Sequence, residues 1–331
     1  MIFGEFGITG ICIDSRKVQP GDLYVCIEGL TVDGHDFASA AVEAGAVALL
    51  CAVGRENDMP AGVGIISAED TRLALALVCK EFFGDPSEKM KLIGVTGTNG
   101  KTSTTAFVEG ILRKLGKSVG SIGTLGVKLD GKSLDMPFST STTPDTVELY
   151  QILTVMEQAG AEYVVMEVSS HALALHKVAA LTFTLGLFTN LSQDHLDFHG
   201  TMENYRLAKA GLFDISEKGI INFDDATRDF MLDYANCPML TYGIDGGDYR
   251  GMDCVLQSDG VSYIINGQAV SVPVAGKFTI YNTLCAYAAM MELGFEPHEV
   301  AKALGLASGI DGRIQNVANE RDFSDIVEVL K

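Results

Sequence analysis

The sequence predicts an α/β protein: a small α/β unit, then a larger domain with a mostly parallel sheet and helices on both faces. Three observations predict it. Apolar strand-like runs alternate with helical segments from residue 90 to about 307, the pattern of parallel strands joined by crossover helices. A shorter strand–helix stretch precedes them, cut off by Gly84-Asp85-Pro86. The chain has 331 residues, about two domains at roughly 150 residues each, and a chain of ~300 residues buries roughly three quarters of its unfolded surface.

Taken in order, residues 11–16 and 23–27 read as two strands around the Gln19-Pro20-Gly21-Asp22 reversal. Phe37, Ala40, Ala41 and Ala44 fall at helical spacing, a short strand over 46–50 follows, and 70–83 reads as a helix. Beyond the break, strands are expected over 91–95, 163–168, 183–189, 219–222 and 239–243, with helices between several of them. Residues 250–275, with an Asn266-Gly267 turn, read as an inserted hairpin. Domain boundaries are expected at 1–88 and 89–312, leaving 313–331 too short for a domain.

Composition narrows the function classes. Apolar residues are 47% and charged residues 20%, ordinary globular usage that argues against disorder or a collagen-like chain. Twenty-four Lys and Arg against 43 Asp and Glu give a net charge of −19. Such a chain is unsuited to non-specific nucleic-acid binding, which runs on cationic side chains neutralising phosphates. A single loop can still hold a small anion. No apolar run approaches the ~20 residues that span a bilayer, and Met1-Ile2-Phe3-Gly4-Glu5-Phe6 lacks a basic segment followed by an apolar one. A cytoplasmic chain without membrane insertion is therefore expected. The seven cysteines (12, 26, 51, 79, 237, 254 and 285) include no CxxC pair, which fits reduced, buried thiols rather than a disulfide framework or zinc ribbon.

The strongest motif is Lys91-Leu-Ile-Gly-Val-Thr96 running into Gly97-Thr98-Asn99-Gly100-Lys101-Thr102-Ser103, followed by a helix with Phe107, Ile111 and Leu115 on one face. Backbone N–H groups of such a loop suit phosphate oxygens; Lys101 would reach the β- and γ-phosphates and Thr102 a Mg²⁺ ion. Val95 stands where the general P-loop pattern has glycine, and a glycine-rich turn without a ligand is the alternative. Glu167 ends the run Tyr163-Val-Val-Met-Glu167, at the strand end where parallel sheets place ligands, and could take Mg²⁺ there or simply face solvent. Ser169-Ser170-His171 after it suit helix caps. Asp194, His195, Asp197 and His199 crowd another strand end without zinc spacing.

Thr201 is a good N-cap for a helix through Phe213, with Met202, Tyr205, Leu212 and Phe213 as its apolar stripe. Lys209 falls on that stripe. Inward burial favours its neutral amine, which can capture CO₂ as a carbamate; snorkelling is the ordinary alternative. Thr143 and Pro144 read as N-cap and first residue of another helix. Ser15 and Arg16 could meet an anion or water.

Gly97-Thr-Asn-Gly-Lys-Thr102, Glu167-Val-Ser-Ser-His-Ala-Leu173, Thr189-Asn-Leu-Ser-Gln-Asp-His195-Leu-Asp-Phe-His-Gly-Thr-Met-Glu203 and Ala208-Lys209 occur in this order. Together they resemble the Mur ligases, most nearly the branch that adds the third amino acid of the peptidoglycan stem. Asp14-Ser-Arg16, Pro20-Gly-Asp-Leu23 and Asp33-Gly-His35 are similar to that branch's uridine-binding domain. The resemblance covers about residues 10–313. It implies a UDP-substrate domain over 1–88, an ATP-binding domain over 89–312, and a linker remnant before a C-terminal domain whose motifs are absent here. It implies ATP in the 97–103 loop, one Mg²⁺ on Thr102 and Glu167, and a second on His195 and a carbamylated Lys209. Asn282 would approach the adenine and Arg313 the phosphates. Ile13, Ser15, Leu30, Thr31 and Val32 would line the uridine end of the substrate site; Thr142, Thr143, Ser169 and Lys177 would meet the sugar-peptide end.

The implied substrates are UDP-N-acetylmuramoyl dipeptide and an amino acid, joined through an acyl phosphate. The chain departs from the family pattern at Leu175 and Lys177, where Gln and Arg are usual, and at Gln193, where Arg is common. Two other readings compete: a short non-catalytic paralogue that binds nucleotide or UDP-sugar peptide, and a folylpolyglutamate or cyanophycin synthetase. Asp14-Ser-Arg16 argues against the latter.

Overall fold

A computed structural model describes residues 2–29, 31–136 and 142–307, with the backbone of strands Ile314–Val317 and Asp325–Glu328. Leu30 and Arg313 lie outside the described residues. Two compact units are present: Met1–Pro86 with Pro144–Thr154 and Leu175–Leu181, and Ser87–Thr143 with Val155–Ala174 and Thr182–Lys331. Among the described residues no helix is long and apolar enough to cross a membrane.

The first unit holds four parallel strands in chain order: β1 (Gly10–Cys12), β2 (Asp22–Val25), β3 (Ala48–Ala52) and β4 (Gly64–Ala68). Its helices are α1 (Ile2–Phe6), α2 (Ala38–Glu43) and α3 (Thr71–Phe83). Alternation puts Tyr24 and Cys26 of the β2 segment on one face with Leu49 and Cys51 of β3, packed against Ala38 and Ala41 of α2. Asp70 caps α3 by accepting from the amides of Arg72 and Leu73, and Gly84, at φ 85°, ends it.

Among the described residues the main sheet of the second unit has nine strands, numbered by sequence: β5 (Lys91–Thr96), β6 (Val119–Gly123), β7 (Gly126–Leu129), β8 (Lys132–Ser133), β9 (Tyr163–Glu167), β10 (Leu185–Phe188), β11 (Gly219–Asn222), β12 (Met239–Gly243) and β13 (Tyr249–Arg250). Their spatial order is β13-β12-β11-β10-β5-β9-β6-β7-β8, with every strand running the same way except β7, which is antiparallel to both neighbours. The helices are α4 (Lys101–Lys114), α5 (Thr146–Gln158), which begins in the first unit, α6 (Ser170–Ala174), α7 (Leu196–His199), α8 (Met202–Ala210), α9 (Arg228–Tyr234), α10 (Lys277–Glu292) and α11 (Pro297–Gly305).

Helix α10 packs on α4, and its residues 284–290 are fully buried. At about 1.5–3 kcal/mol per fully buried large apolar side chain, it is a core helix without a polar face. From β5 the chain crosses α4 to β6, returns to β9, then passes to β10 on the other side. The strand ends of β9, β5 and β10 thus meet at a switch point, where open α/β sheets bind ligands.

Four expectations are corrected. The strands β6, β7 and β8 were not anticipated, because Val119-Gly-Ser-Ile-Gly123 lacks bulky alternation. The inserted hairpin is three antiparallel strands: β14 (Met252–Leu256) adds to β15 (Val261–Ile265) and β16 (Gln268–Val272), which turn at Asn266-Gly267. The helix from Thr201 stops at Ala210 rather than Phe213, and its Met202 is exposed. Helix α5 starts at Thr146, so Thr143 and Pro144 precede it. The remaining strands, β17 (Ile314–Val317) and β18 (Asp325–Glu328), pair antiparallel.

Candidate functional site

The loop from β5 to α4 makes its turns on two glycines. Gly97 has φ 142° and a Cβ there would lie 1.9 Å from Thr189 Oγ1; Gly100 has φ 85° and a Cβ there would lie 2.6 Å from Asn282 Oδ1. Both positions therefore require glycine. The segment after β10 braces the loop. Thr189 Oγ1 and Asn190 Nδ2 donate to the Asn99 carbonyl at 2.5 and 3.0 Å, and the Asn99 amide donates to Asn190 Oδ1 at 3.0 Å. Thr98 Oγ1 accepts from the Ser192 amide at 3.0 Å and lies 3.1 Å from the Tyr205 hydroxyl. Ser103 occupies the first turn of α4, and buried Asn282 sits with Oδ1 3.4 Å from Thr104 Oγ1.

Two lysines converge on one carbonyl. Lys101 Nζ donates to the carbonyls of Gly97 and Thr98 at 2.9 and 3.0 Å, and Lys209 Nζ donates to the same Gly97 carbonyl at 2.8 Å. Lys209 is 1% exposed, with its nitrogen 4.6 Å from the centre of the Tyr205 ring. Burial, and after it the charge of Lys101, pushes its pKa well below the ordinary lysine value, and Asp194 opposes this only in part. Across the loop, Thr102 Oγ1 donates to Glu167 Oε2 at 3.1 Å. Glu167, at the end of β9, is 2% exposed.

His195 caps α7 in the left-handed region at φ 50°, half exposed, with Nε2 3.5 Å from Asp194. Its ring meets His171 edge-on at 5.0 Å and Tyr205 at 6.1 Å. His199 is buried with Nε2 2.9 Å from Ser170 Oγ. Burial, then the neighbouring His171, Lys209 and His195, push it down to about 4, so it is neutral at neutral pH. Among the described residues, no three His, Cys, Asp or Glu side chains are grouped to hold a metal.

Thr143 Oγ1 donates to the Glu167 carbonyl at 2.9 Å and accepts from the Ser169 amide at 3.0 Å, while Thr142 precedes it, half-buried. Ser169 caps α6, its Oγ accepting from the Ala172 amide.

In the first unit, half-buried Ile13 and Ser15 follow β1, and exposed Thr31 and Val32 follow the neighbouring β2. Arg16 pairs with Asp14 at 2.8 Å. Lys177, 12% exposed at its side chain, is ion-paired to Asp145. Sequence reasoning missed the brace of Thr189, Asn190 and Ser192, and Thr124, whose amide and hydroxyl contact Glu167. For Thr124, a threonine directly after Gly123 at a strand end was the available signal.

Residues 95–290 match the family described as Mur ligase middle domain, and residues 7–83 the one described as Mur ligase family, catalytic domain. The UDP-N-acetylmuramoyl-L-alanyl-D-glutamate–2,6-diaminopimelate ligase of Syntrophomonas wolfei is 39% identical over 331 residues, 97% of this chain and 67% of that one. The enzyme of that name from Clostridioides difficile is 41% identical over 330 residues, again 97% and 67%. A solved structure of a ligase of that name aligns with a TM-score of 0.80 at 26% identity, covering 95% of this chain and 65% of that chain. The chain spans about two thirds of the length of the relatives it matches.

Proposed function

The chain belongs to the Mur ligase family, and from that premise we propose that it is an ATP-dependent ligase of peptidoglycan synthesis. It joins the third amino acid to UDP-N-acetylmuramoyl-L-alanyl-D-glutamate in the cytoplasm. The substrate's terminal carboxylate attacks the γ-phosphate of ATP and releases ADP. The incoming amine then displaces phosphate from the acyl phosphate and forms the amide.

The observation that carries this reading is the convergence of Lys101 and a buried Lys209 on the Gly97 carbonyl, beside the Thr102–Glu167 pair. Gly97, Gly100 and the amides opening α4 would cradle the triphosphate, with Lys101 released from its carbonyls to the phosphates. Thr98, Asn99 and Ser103 complete that loop, and Asn282 and Arg313 are assigned to the base and phosphates. Thr102 and Glu167 offer hydroxyl and carboxylate oxygens 3.1 Å apart, a hard donor set suited to Mg²⁺.

Among the described residues, His195 and the adjacent Asp194 are not joined by a further His, Cys, Asp or Glu to hold a second ion. A carbamate on Lys209, formed when its neutral amine adds CO₂ and loses a proton, would supply the missing anion. Bound Mg²⁺ offsets the charge that repels a carboxylate from the triphosphate. In the first unit, Ile13, Ser15, Leu30, Thr31 and Val32 are assigned to the uridine end of the UDP substrate and Lys177 to its peptide end; in the second unit, Thr142, Thr143 and Ser169 are assigned to sugar-peptide recognition.

Calorimetry with Mg-ATP and with the UDP-muramoyl dipeptide tests the proposal, followed by phosphate release with candidate amino acids. Both ligands are expected to bind, and phosphate release to require the dipeptide. No heat from the UDP compound overturns the substrate assignment.

A further inference from the structure

We infer that Thr124, in the turn between β6 and β7, is a positioning residue that aims the Glu167 carboxylate at Thr102. The inference rests on the metal role proposed for Glu167. Among the described residues, Thr124 supplies two of the three hydrogen bonds to this carboxylate: its amide donates to Oε1 at 2.8 Å and its hydroxyl to Oε2 at 3.2 Å. The third comes from Thr102 Oγ1, at 3.1 Å. All three donors are neutral, so they fix the direction of the carboxylate without a competing cation.

Gly123 closes the cradle. A Cβ there would lie 2.3 Å from Glu167 Oε1 and 2.7 and 2.8 Å from its Cγ and Cδ, and Gly123 is not at positive φ. Its missing side chain therefore serves space rather than conformation.

The carboxylate has somewhere else to go. A cavity of about 40 Å³ lies against Thr102 and Glu167, bounded also by Thr105, Glu109, Ser121 and Lys128. Thr105 Oγ1, on the lining of the same cavity, is buried without a partner among the described residues, so the cavity offers a polar group to a carboxylate that leaves the loop. Thr124 is itself exposed, so its substitution acts on Glu167 with little effect on the core.

The test is calorimetric titration of ATP at graded Mg²⁺, and in EDTA, with the wild-type chain and the variants T124V, T124S, G123A and E167Q. Loss of a group that orients a metal ligand typically costs 10–100-fold in metal affinity. T124V is expected to raise the half-saturating Mg²⁺ about tenfold, G123A to raise it further, and T124S to restore it to within about twofold. ATP affinity in EDTA stays unchanged in T124V, and T124V adds nothing on top of E167Q.

Three results overturn the inference: an unchanged Mg²⁺ requirement in T124V while E167Q raises it, failure of T124S to rescue, or an equal loss of ATP affinity in EDTA. An unchanged Mg²⁺ requirement in E167Q itself overturns instead the metal role on which the inference stands.

Discussion

The two flanks of the loop between β5 and α4 handle buried charge in opposite ways. On the β9 flank, Glu167 is ringed by an amide and two hydroxyls, a charge satisfied by neutral donors. On the α8 flank, Lys209 is buried just as deeply but forms no ion pair among the described residues; it rests on one carbonyl and the Tyr205 ring, with Lys101 beside it. The first flank is preorganised as it stands. The second buries an amine where desolvation and the neighbouring Lys101 disfavour its charged form, an expensive arrangement that makes sense when the amine is converted to something else.

The sharpest way to break this contrast is Lys209→Ala. Phosphate release is expected to fall on the order of 10²–10³-fold, the usual loss when one preorganised electrostatic group is removed, while Mg-ATP still binds. Carbon NMR of the wild-type chain in labelled bicarbonate should show a carbamate resonance that Lys209→Ala lacks; an amine that stays unmodified at saturating bicarbonate ends the carbamate assignment.

Next in size is Gly97→Ala, which forces a side chain into a φ of 142° against Thr189. Urea denaturation should report a loss of about 1–3 kcal/mol. Lys209→Met, by contrast, removes a buried amine and should gain about 0.5–2 kcal/mol at neutral pH in the same assay. The sign follows from the depressed pKa. Between the depressed folded value and the ordinary lysine value the unfolded chain binds more protons than the folded one, so the wild type is penalised below the ordinary lysine pKa, and its penalty shrinks as pH rises through that window. A Lys209→Met variant less stable than wild type would place the amine among favourable contacts instead.

The smallest expected effect lies in the first unit, where charge is paired in the ordinary way. Burial works against the Asp33 carboxylate, but hydrogen bonds from His35 and then Arg55 outweigh it and bring Asp33 to about 2 from 3.8. Because the folded value is depressed, the stabilisation is complete above 3.8 and is lost as pH falls toward about 2. Asp33→Asn should flatten the denaturation midpoint over that window and leave it unchanged at neutral pH relative to its own acid value.

Much of this was legible in the sequence. The strands β5, β9 and β10 are apolar runs long enough to read directly, and Lys209 declares its inward position by falling four residues after Tyr205 and three before Leu212. Strands β6 to β8 were hidden because glycine and serine interrupt them, and with them went Thr124, whose contact with Glu167 spans 43 positions. Thr143 misled for a related reason. A threonine before proline reads as a helix cap, but its hydroxyl is engaged with Glu167 and Ser169, and α5 starts three residues later. Local spacing reports which face a residue takes; it is silent on partners brought together by crossover connections.

The brace between Asn99 and the segment from Thr189 to Ser192 has a mechanical consequence. Hydrogen bonds run in both directions across it, so displacing the loop between β5 and α4 from the stretch after β10 requires breaking four of them together.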